Sequence, residues 1–527
     1  MERIYITTPL YYVNAEPHLG HTYTTVVADT LKRYYNSIGY ETFLLTGTDE
    51  HGDKIAQAAQ ASGMDPKAYA DRVSRLFRST WDTCGIAYDY FIRTTDSYHK
   101  EFVQKILQKI YDAGDIYFGE YGGFYCYGCE RFYTEKELVD GKCPDHQKEP
   151  DYISEKNYFF RMSKYRDQLI DAIESRADLI RPERYRTEVL AFLREPLEDL
   201  CVSRPTSRLQ WGIPLPFDSH YVTYVWFDAL LNYVSALEHC GEGAVQNLWP
   251  KANHLIAKDI LKPHAVYWPT MLMAAGLPLY EHLNVHGYWV MDSGKMSKSL
   301  GNVVRPLEMK DRFGMDAFRY FLLREMAFGQ DAKFSLEALI TRINADLANN
   351  LGNLVSRILA MQQKYFDGVV HPLGPEWAKE DQELKNKFAH AEIELTAYMA
   401  DLQFHRALEA VWSAIDHANR YIVQTAPYTL FKDEANRPRV GEVLHHLLEV
   451  LRTLSRLLGP FMPDTARELK TLLGVVDSDF EQEVPSSMGD SSLLRVPNQE
   501  WGKYFQSGHV VKGPKILFPR IEMPAAE

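Results

Sequence analysis

The chain has 527 residues, more than a single hydrophobic core accommodates, so two to four domains are expected. Apolar residues make up 46% and charged residues 24%, the ordinary balance of a soluble globular protein. The 58 Lys and Arg against 71 Asp and Glu give a net charge of −13, which argues against a protein that coats nucleic acid but leaves room for a local basic surface.

No apolar stretch with a small-residue cleavage site follows Met1-Glu2-Arg3, so no signal peptide is read. The longest uncharged run, residues 263–280, is interrupted by Pro269, Gly276 and Pro278, and a buried helix explains it better than a membrane span. Six cysteines are too few for a disulfide scaffold, and cytoplasm is the expected location.

"RIYITTPLYYV" predicts a strand from its β-branched and aromatic residues. "HTYTTVVADTLKRYYNSIGY" predicts a helix stopped by Gly39, and "ETFLLTGTDEHG" a strand ending at Gly47. Strand, helix and strand within about fifty residues make a βαβ unit and hence a parallel sheet. Ligands of such sheets bind beyond the carboxyl ends of the strands, which places residues 8–14, 18–21 and 46–52 on one rim. From about Tyr117 to His220 a tyrosine- and cysteine-rich insert follows, after which sheet-like runs resume at "YVTYVWFDALL", "HLIAKDI" and "HLNVHGYWVM". Beyond Ser335 the pattern is helical to about Leu473, as in a separate bundle. The expected domains are residues 1–116 and 221–334 for an α/β Rossmann-like fold, 117–220 for its insert, 335–480 for the helices and 481–527 for a loop and tail.

Three clusters carry chemistry. In "EPHLGHTY", Pro17 suits a first helical turn and Gly20 allows close approach, so His18 and His21 could line a phosphate site at a helix N-terminus. A metal clamp and plain core packing are the alternatives, but the zincin spacing is absent. Cys126, Cys129, Cys143 and His146 have the C-x₂-C, C-x₂-H spacing of a tetrahedral zinc site. Four ligands fill the shell, which points to one structural zinc per chain; scattered thiols are the alternative. "DSGKMSKSLGN" sets Lys295 and Lys298 in a Gly- and Ser-rich loop suited to gripping phosphates, or simply exposed to solvent.

"PHLGH" and "KMSKS" in this order resemble the paired signatures of class I aminoacyl-tRNA synthetases. With "GTDEHGDKI", "YVWFDAL" and "KDI…H…YWP", the chain resembles the methionyl-tRNA synthetase family over most of its length. The resemblance implies a Rossmann-like catalytic domain with an inserted zinc knuckle, followed by an all-α anticodon-binding bundle. It implies activation of L-methionine by ATP with Mg²⁺, and transfer to the 3′-terminal adenosine of tRNA(Met), initiator tRNA included. By the same resemblance His18, Gly20, His21, Asp259, Lys295 and Lys298 serve ATP, with His18, His21, Lys295 and Lys298 catalytic. Leu10, Tyr12, Trp226, Leu230, Tyr233, Ile260, His264 and Trp268 form the methionine pocket, and Asp49 holds the ammonium group. Tyr12 and His264 could reach the thioether sulfur. Asn353, Arg357 and Tyr428 read the anticodon, Tyr428 standing where the family usually has tryptophan. Ala257 departs from the usual "GKD". A monomer without membrane association is expected. The rival readings are another class I synthetase or H-x-G-H nucleotidylyltransferase, and a non-catalytic tRNA-binding module.

Overall fold

The structure is a computed structural model that describes residues 2–126, 131–133, 135–144, 147–291, 294–295, 303–475, 501–506 and 508–523. It divides into two compact units: residues 1–288 with 305–307, and residues 289–304 with 308–527.

The first unit is organised by seven parallel strands. The chain lays down β1 (Arg3–Thr7), β2 (Tyr11–Tyr12), helix α1 (Leu19–Ser37), β3 (Glu41–Asp49) and β4 (Tyr90–Arg93). It then builds an antiparallel sheet from β5 (Ile116–Cys126), β6 (Arg131–Tyr133) and β7 (Asp151–Phe160), and returns briefly to the main sheet as β8 (Ile180–Arg181). A further strand, β9 (Leu200–Cys201), pairs with β7, and β10 (Ser203–Pro205), β11 (Pro214–Leu215) and β12 (Asp218–Thr223) form a three-stranded sheet. The main sheet closes with β13 (Ala252–Ala257) and β14 (His282–His286).

β1 lies between β3 and β13, with β14 and β8 beyond β13 and β4 on β3. All these pairs are parallel, so each needs a crossover, and α1 supplies the one from β1 to β3. Because the chain leaves β1 towards β3 and later resumes on β13, the strand order reverses beside β1. That is where sheets of this type open a crevice. Ile4, Tyr5, Ile6 and Thr7 are all buried, as a strand covered on both faces requires.

Three expectations are refined. The first predicted strand breaks around Pro9, which lacks the N–H a ladder needs, and β2 resumes pairing further along β3. β3 does not end at Gly47 but runs to Asp49, because Gly47 sits opposite Ile92 of β4, where an added Cβ would lie 2.0 Å from the Ile92 carbonyl oxygen. "YVTYVWFDALL" is half strand and half helix: it turns helical over Val225–Leu230, a distinction that a continuous apolar run does not encode. The buried helix expected over residues 263–280 is present as a π turn, Pro263–Tyr267, leading into Trp268–Ala274. Among the described residues no helix is long and apolar enough to cross a membrane.

In the second unit, after three short strands and the helix Met315–Glu325, Ser335 caps the helix Leu336–Arg342 by accepting from the Ala338 amide at 3.0 Å. The long helices Asn353–Phe366, Lys379–Ala400, Phe404–Thr425 and Arg437–Leu457 follow, and Pro463–Leu473 ends the series. Each presents an apolar stripe to a common core, the all-α bundle read from the sequence.

Candidate functional site

His18 is the N-cap of α1, with extended backbone at φ −136° and ψ 177°. Its Nδ1 accepts from the Gly20 amide at 3.1 Å, and the His18 amide in turn donates to Nδ1 of His21 at 3.4 Å. This is a capping box made of two histidines in place of the usual hydroxyl and carboxylate. It fixes the tautomers: with Nδ1 an acceptor, each neutral ring carries its proton on Nε2. The rings stack at 3.8 Å between centroids. Tyr11 and Phe77 pack on His21 at 4.9 and 5.3 Å, and burial, then the neighbouring His18, lowers its pKa well below the ordinary imidazole value. His21 therefore rests as a neutral donor.

The predicted methionine-pocket residues come from four segments. Tyr12 and Asp49 are register partners where β2 pairs with β3. His264 lies 6.0 Å from the Trp226 ring and 5.9 Å from the Tyr233 ring, and Tyr233 is 5.9 Å from Trp268. Leu230, Tyr233 and Trp268 belong to one core cluster, against which Leu10, Trp226 and Ile260 pack while partly exposed. His264 Nδ1 lies 2.9 Å from the Ile260 carbonyl, to which it can only donate, so Nε2 accepts the Tyr233 hydroxyl proton at 2.8 Å. Burial, partly opposed by that carbonyl, pushes the His264 pKa down to about 4. Both ring nitrogens of His264 are thus committed inside the protein.

Behind the pocket a second histidine is fixed in the same way. Trp268 Nε1 donates to His254 Nε2 at 3.2 Å, leaving Nδ1–H to donate to the Thr7 hydroxyl at 2.7 Å. That bond ties β13 to the carboxyl end of β1. Asp259 follows β13, exposed in the short turn Lys258–Ile260. Ala257 has φ −83° and ψ 156°, ordinary extended backbone, so the alanine carries no strain there.

Residues that were not singled out in the sequence surround Asp49. Glu50 is buried and receives both Nε and Nη2 of Arg93 at 2.7 and 2.8 Å, with hydroxyl donors from Thr48 and Thr95. His51 and His99 both bond to buried Asp228, at 2.7 and 2.8 Å. The only textual trace of these was the charged string "TDEH" at a strand end and one aspartate inside the apolar run "VWFDALL".

Lys295 lies in the two-residue strand Gly294–Lys295, where it pairs with Val290 in the second unit; Lys298 lies outside the described residues. Of the four proposed zinc ligands, Cys129 and His146 also lie outside them. Cys126 and Cys143 meet in one small buried cluster with Tyr133, whose hydroxyl is 3.4 Å from Cys143 Sγ. Two buried thiols brought together from seventeen residues apart fit half of a zinc donor set. Among the described residues no group of three potential metal ligands occurs, so the knuckle in the expected fold class is not seen as such.

In the helical unit Asn353 is exposed and Arg357 half-buried one turn later, and Tyr428 is 48% exposed on the turn Pro427–Leu430. Asn419 bonds Asn350 at 2.8 Å and Phe431 stacks on Tyr365 at 4.1 Å. These contacts tie two neighbouring segments at both ends, with Arg357 between them on one and Tyr428 on the other.

Comparison with known proteins gives the same picture. The family described as "tRNA synthetases class I (M)" matches residues 4–152 and 146–359, and "Anticodon binding domain of methionyl tRNA ligase" matches residues 371–525. Methionine–tRNA ligase of Caldanaerobacter subterraneus subsp. tengcongensis is 47% identical over 98% of this chain and 79% of its own length. That of Clostridium acetobutylicum is 44% identical over 99% of this chain and 79% of its own length. The solved Mycobacterium tuberculosis methionyl-tRNA synthetase in complex with methionyl-adenylate superposes with a TM-score of 0.91 at 37% identity, covering 99% of this chain and 100% of that one. With these matches over nearly its whole length, the chain belongs to the methionyl-tRNA synthetases, ATP-dependent enzymes that join methionine to tRNA.

Proposed function

We propose that methionine is activated at the rim between β1, β3 and β13, with the residue roles read from the sequence. The clustering of Trp226, Tyr233, His264 and Trp268, together with the pairing of Tyr12 and Asp49 at the end of β3, carries this reading. Asp49 takes the ammonium group, while the aromatic walls and Leu10, Leu230 and Ile260 enclose the thioether. A polarizable sulfur suits such a wall, since it offers almost nothing to hydrogen-bond. The carboxylate then attacks the α-phosphorus of ATP and pyrophosphate leaves. His18 and His21 donate from Nε2 to the phosphate oxygens where charge grows, assisted by Lys295 and Lys298, with Gly20 and Asp259 at the nucleotide. Mg²⁺ bound with ATP would neutralise phosphate charge. A relative bound to methionyl-adenylate supports the same intermediate here.

Cys126, Cys129, Cys143 and His146 would hold one structural zinc, which would knit the insert together without entering the reaction. Asn353, Arg357 and Tyr428 would read the anticodon of elongator and initiator tRNA(Met), Tyr428 stacking on an unpaired base in place of tryptophan. The enzyme acts as a cytoplasmic monomer made of the five segments drawn from the sequence.

His18→Asn separates the cap from the chemistry, because asparagine caps a helix but has no imidazole Nε2. Methionine-dependent ATP–pyrophosphate exchange should fall about 10²–10³-fold while the unfolding temperature holds. Unchanged exchange would remove His18 from the phosphates. Metal analysis should find zinc in the wild type and its loss in Cys143→Ser.

A further inference from the structure

Asp228 sits in the helix Val225–Leu230, two residues after Trp226 and two before Leu230, with no exposed side-chain surface. Its Oδ2 accepts from Nδ1 of His51 at 2.7 Å and its Oδ1 from Nε2 of His99 at 2.8 Å. Burial alone would push its pKa up, but the two histidines, His51 foremost, hold it below the ordinary carboxylate value. An ionised carboxylate only accepts, so His51 carries its proton on Nδ1 and His99 on Nε2. His99 Nδ1 is in turn 2.7 Å from the Ser235 hydroxyl, which ties the same aspartate to the next helix.

His51 lies two residues after Asp49. Its ring packs on Trp211 at 5.3 Å, and the Trp211 indole donates to the Glu50 carbonyl at 2.5 Å. The Gly52 amide donates back to the Trp211 carbonyl at 3.2 Å. Arg93 grips Glu50 from the other side. The loop after β3 is therefore fixed to its surroundings residue by residue, and the bond from His51 to Asp228 runs from it to the helix that bears Trp226.

We propose that Asp228 is a positioning residue for methionine, setting through His51 the separation between the ammonium site at Asp49 and the side-chain wall at Trp226. The proposal rests on the roles given above to Asp49 and Trp226. Methionine is short, and its charged end and its sulfur must be met at once. A shift of the loop against the helix would misplace one end whenever the other is seated. ATP does not bridge these two elements in this reading, so its binding should be indifferent to the link.

ATP–pyrophosphate exchange, titrated separately in methionine and in ATP, tests this. His51→Leu removes the donor, Asp228→Asn removes the charge at constant volume, and His51→Asn keeps an N–H where Nδ1 stood. His51→Leu and Asp228→Asn should each raise KM for methionine about 10–100-fold with KM for ATP changed less than about threefold, the span of a hydrogen bond to a charged group. His51→Asn should restore most of the loss. The proposal is overturned if both KM values rise together, if neither rises in variants that unfold at the wild-type temperature, or if His51→Asn is as impaired as His51→Leu. Should His51→Leu fail to fold, the isosteric Asp228→Asn decides alone. Asp49→Asn separates the layers. If it leaves KM for methionine unchanged, the assignment of Asp49 fails and takes the proposal with it. If it raises that KM while Asp228→Asn does not, the proposal alone fails.

Discussion

Tyr233 shows how much chemistry one hydroxyl settles. Its proton goes to His264 Nε2 because His264 Nδ1 is already bound to the Ile260 carbonyl. The ring that results is a neutral imidazole with no uncommitted N–H, which would suit a thioether in the proposed pocket. Tyr233→Phe should strand a buried acceptor and let the ring turn, raising KM for methionine about tenfold with little change in kcat, measurable in the exchange assay. An unchanged KM would mean that the ring is held by packing alone. None of this was legible in the sequence, where Tyr233 and His264 stand 31 residues apart. Composition alone would have left these residues as core, and only the family resemblance set them apart as a proposed pocket. Asp228, His51 and Glu50 escaped for a related reason: a buried charge is recognised by its partners, and those partners are distant in the chain.

Secondary-structure elements were easier to read where a period or a breaker governs them. α1 declared itself through its apolar spacing and through Gly39, which adopts φ 91° beyond its end. The end of β3 was misplaced because Gly47 looked like a stop. It is a close-contact position, and its missing Cβ is what lets β4 lie against β3. Gly47→Ala should force the two strands apart and destabilise the first unit by about 2–4 kcal/mol, the scale of a severe core clash. Thermal unfolding checks this, and a variant as stable as wild type would refute the contact. Asp49 lies two residues beyond this contact on the same strand, so methionine-dependent exchange should fall with stability.

For the molecule as a whole, the change from mixed to helical patterning was read at Ser335, while the two compact units divide around residues 289–308, so the second unit also takes in the short strands Trp289–Met291, Gly294–Lys295 and Ala332–Lys333. The knuckle was an expectation from spacing: Cys126 and Cys143 share one buried cluster, while Cys129 and His146 lie outside the described residues. The −13 net charge was a weaker guide, since binding of tRNA depends on where cations lie and not on their sum. Charge bears more directly on acid stability. Burial lowers His264 and His286 in the first unit and His446 in the second to about 4 each. Their unfolded counterparts take up protons near 6.5, so stability is full above that value and falls as pH drops from 6.5 towards 4. Each group contributes up to ~1.4 kcal/mol per pH unit in that window. Denaturant midpoints measured from pH 7.5 to 5 should fall steadily, and a flat profile would show that these rings stay hydrated.

The pairing of β1 with β13 has a consequence for how the protein is made. Thr7 bonds to His254, 247 residues later. While the chain is being synthesised, β1, β3 and β4 must wait with one side of β1 open until the whole insert has emerged. Contacts of that span close slowly, and an unpaired strand of buried Ile and Tyr is a template for wrong partners. An insert that can collapse early around its own antiparallel strands shortens the wait, since it brings the two halves of the sheet together across a folded unit and not across a loose loop of more than a hundred residues.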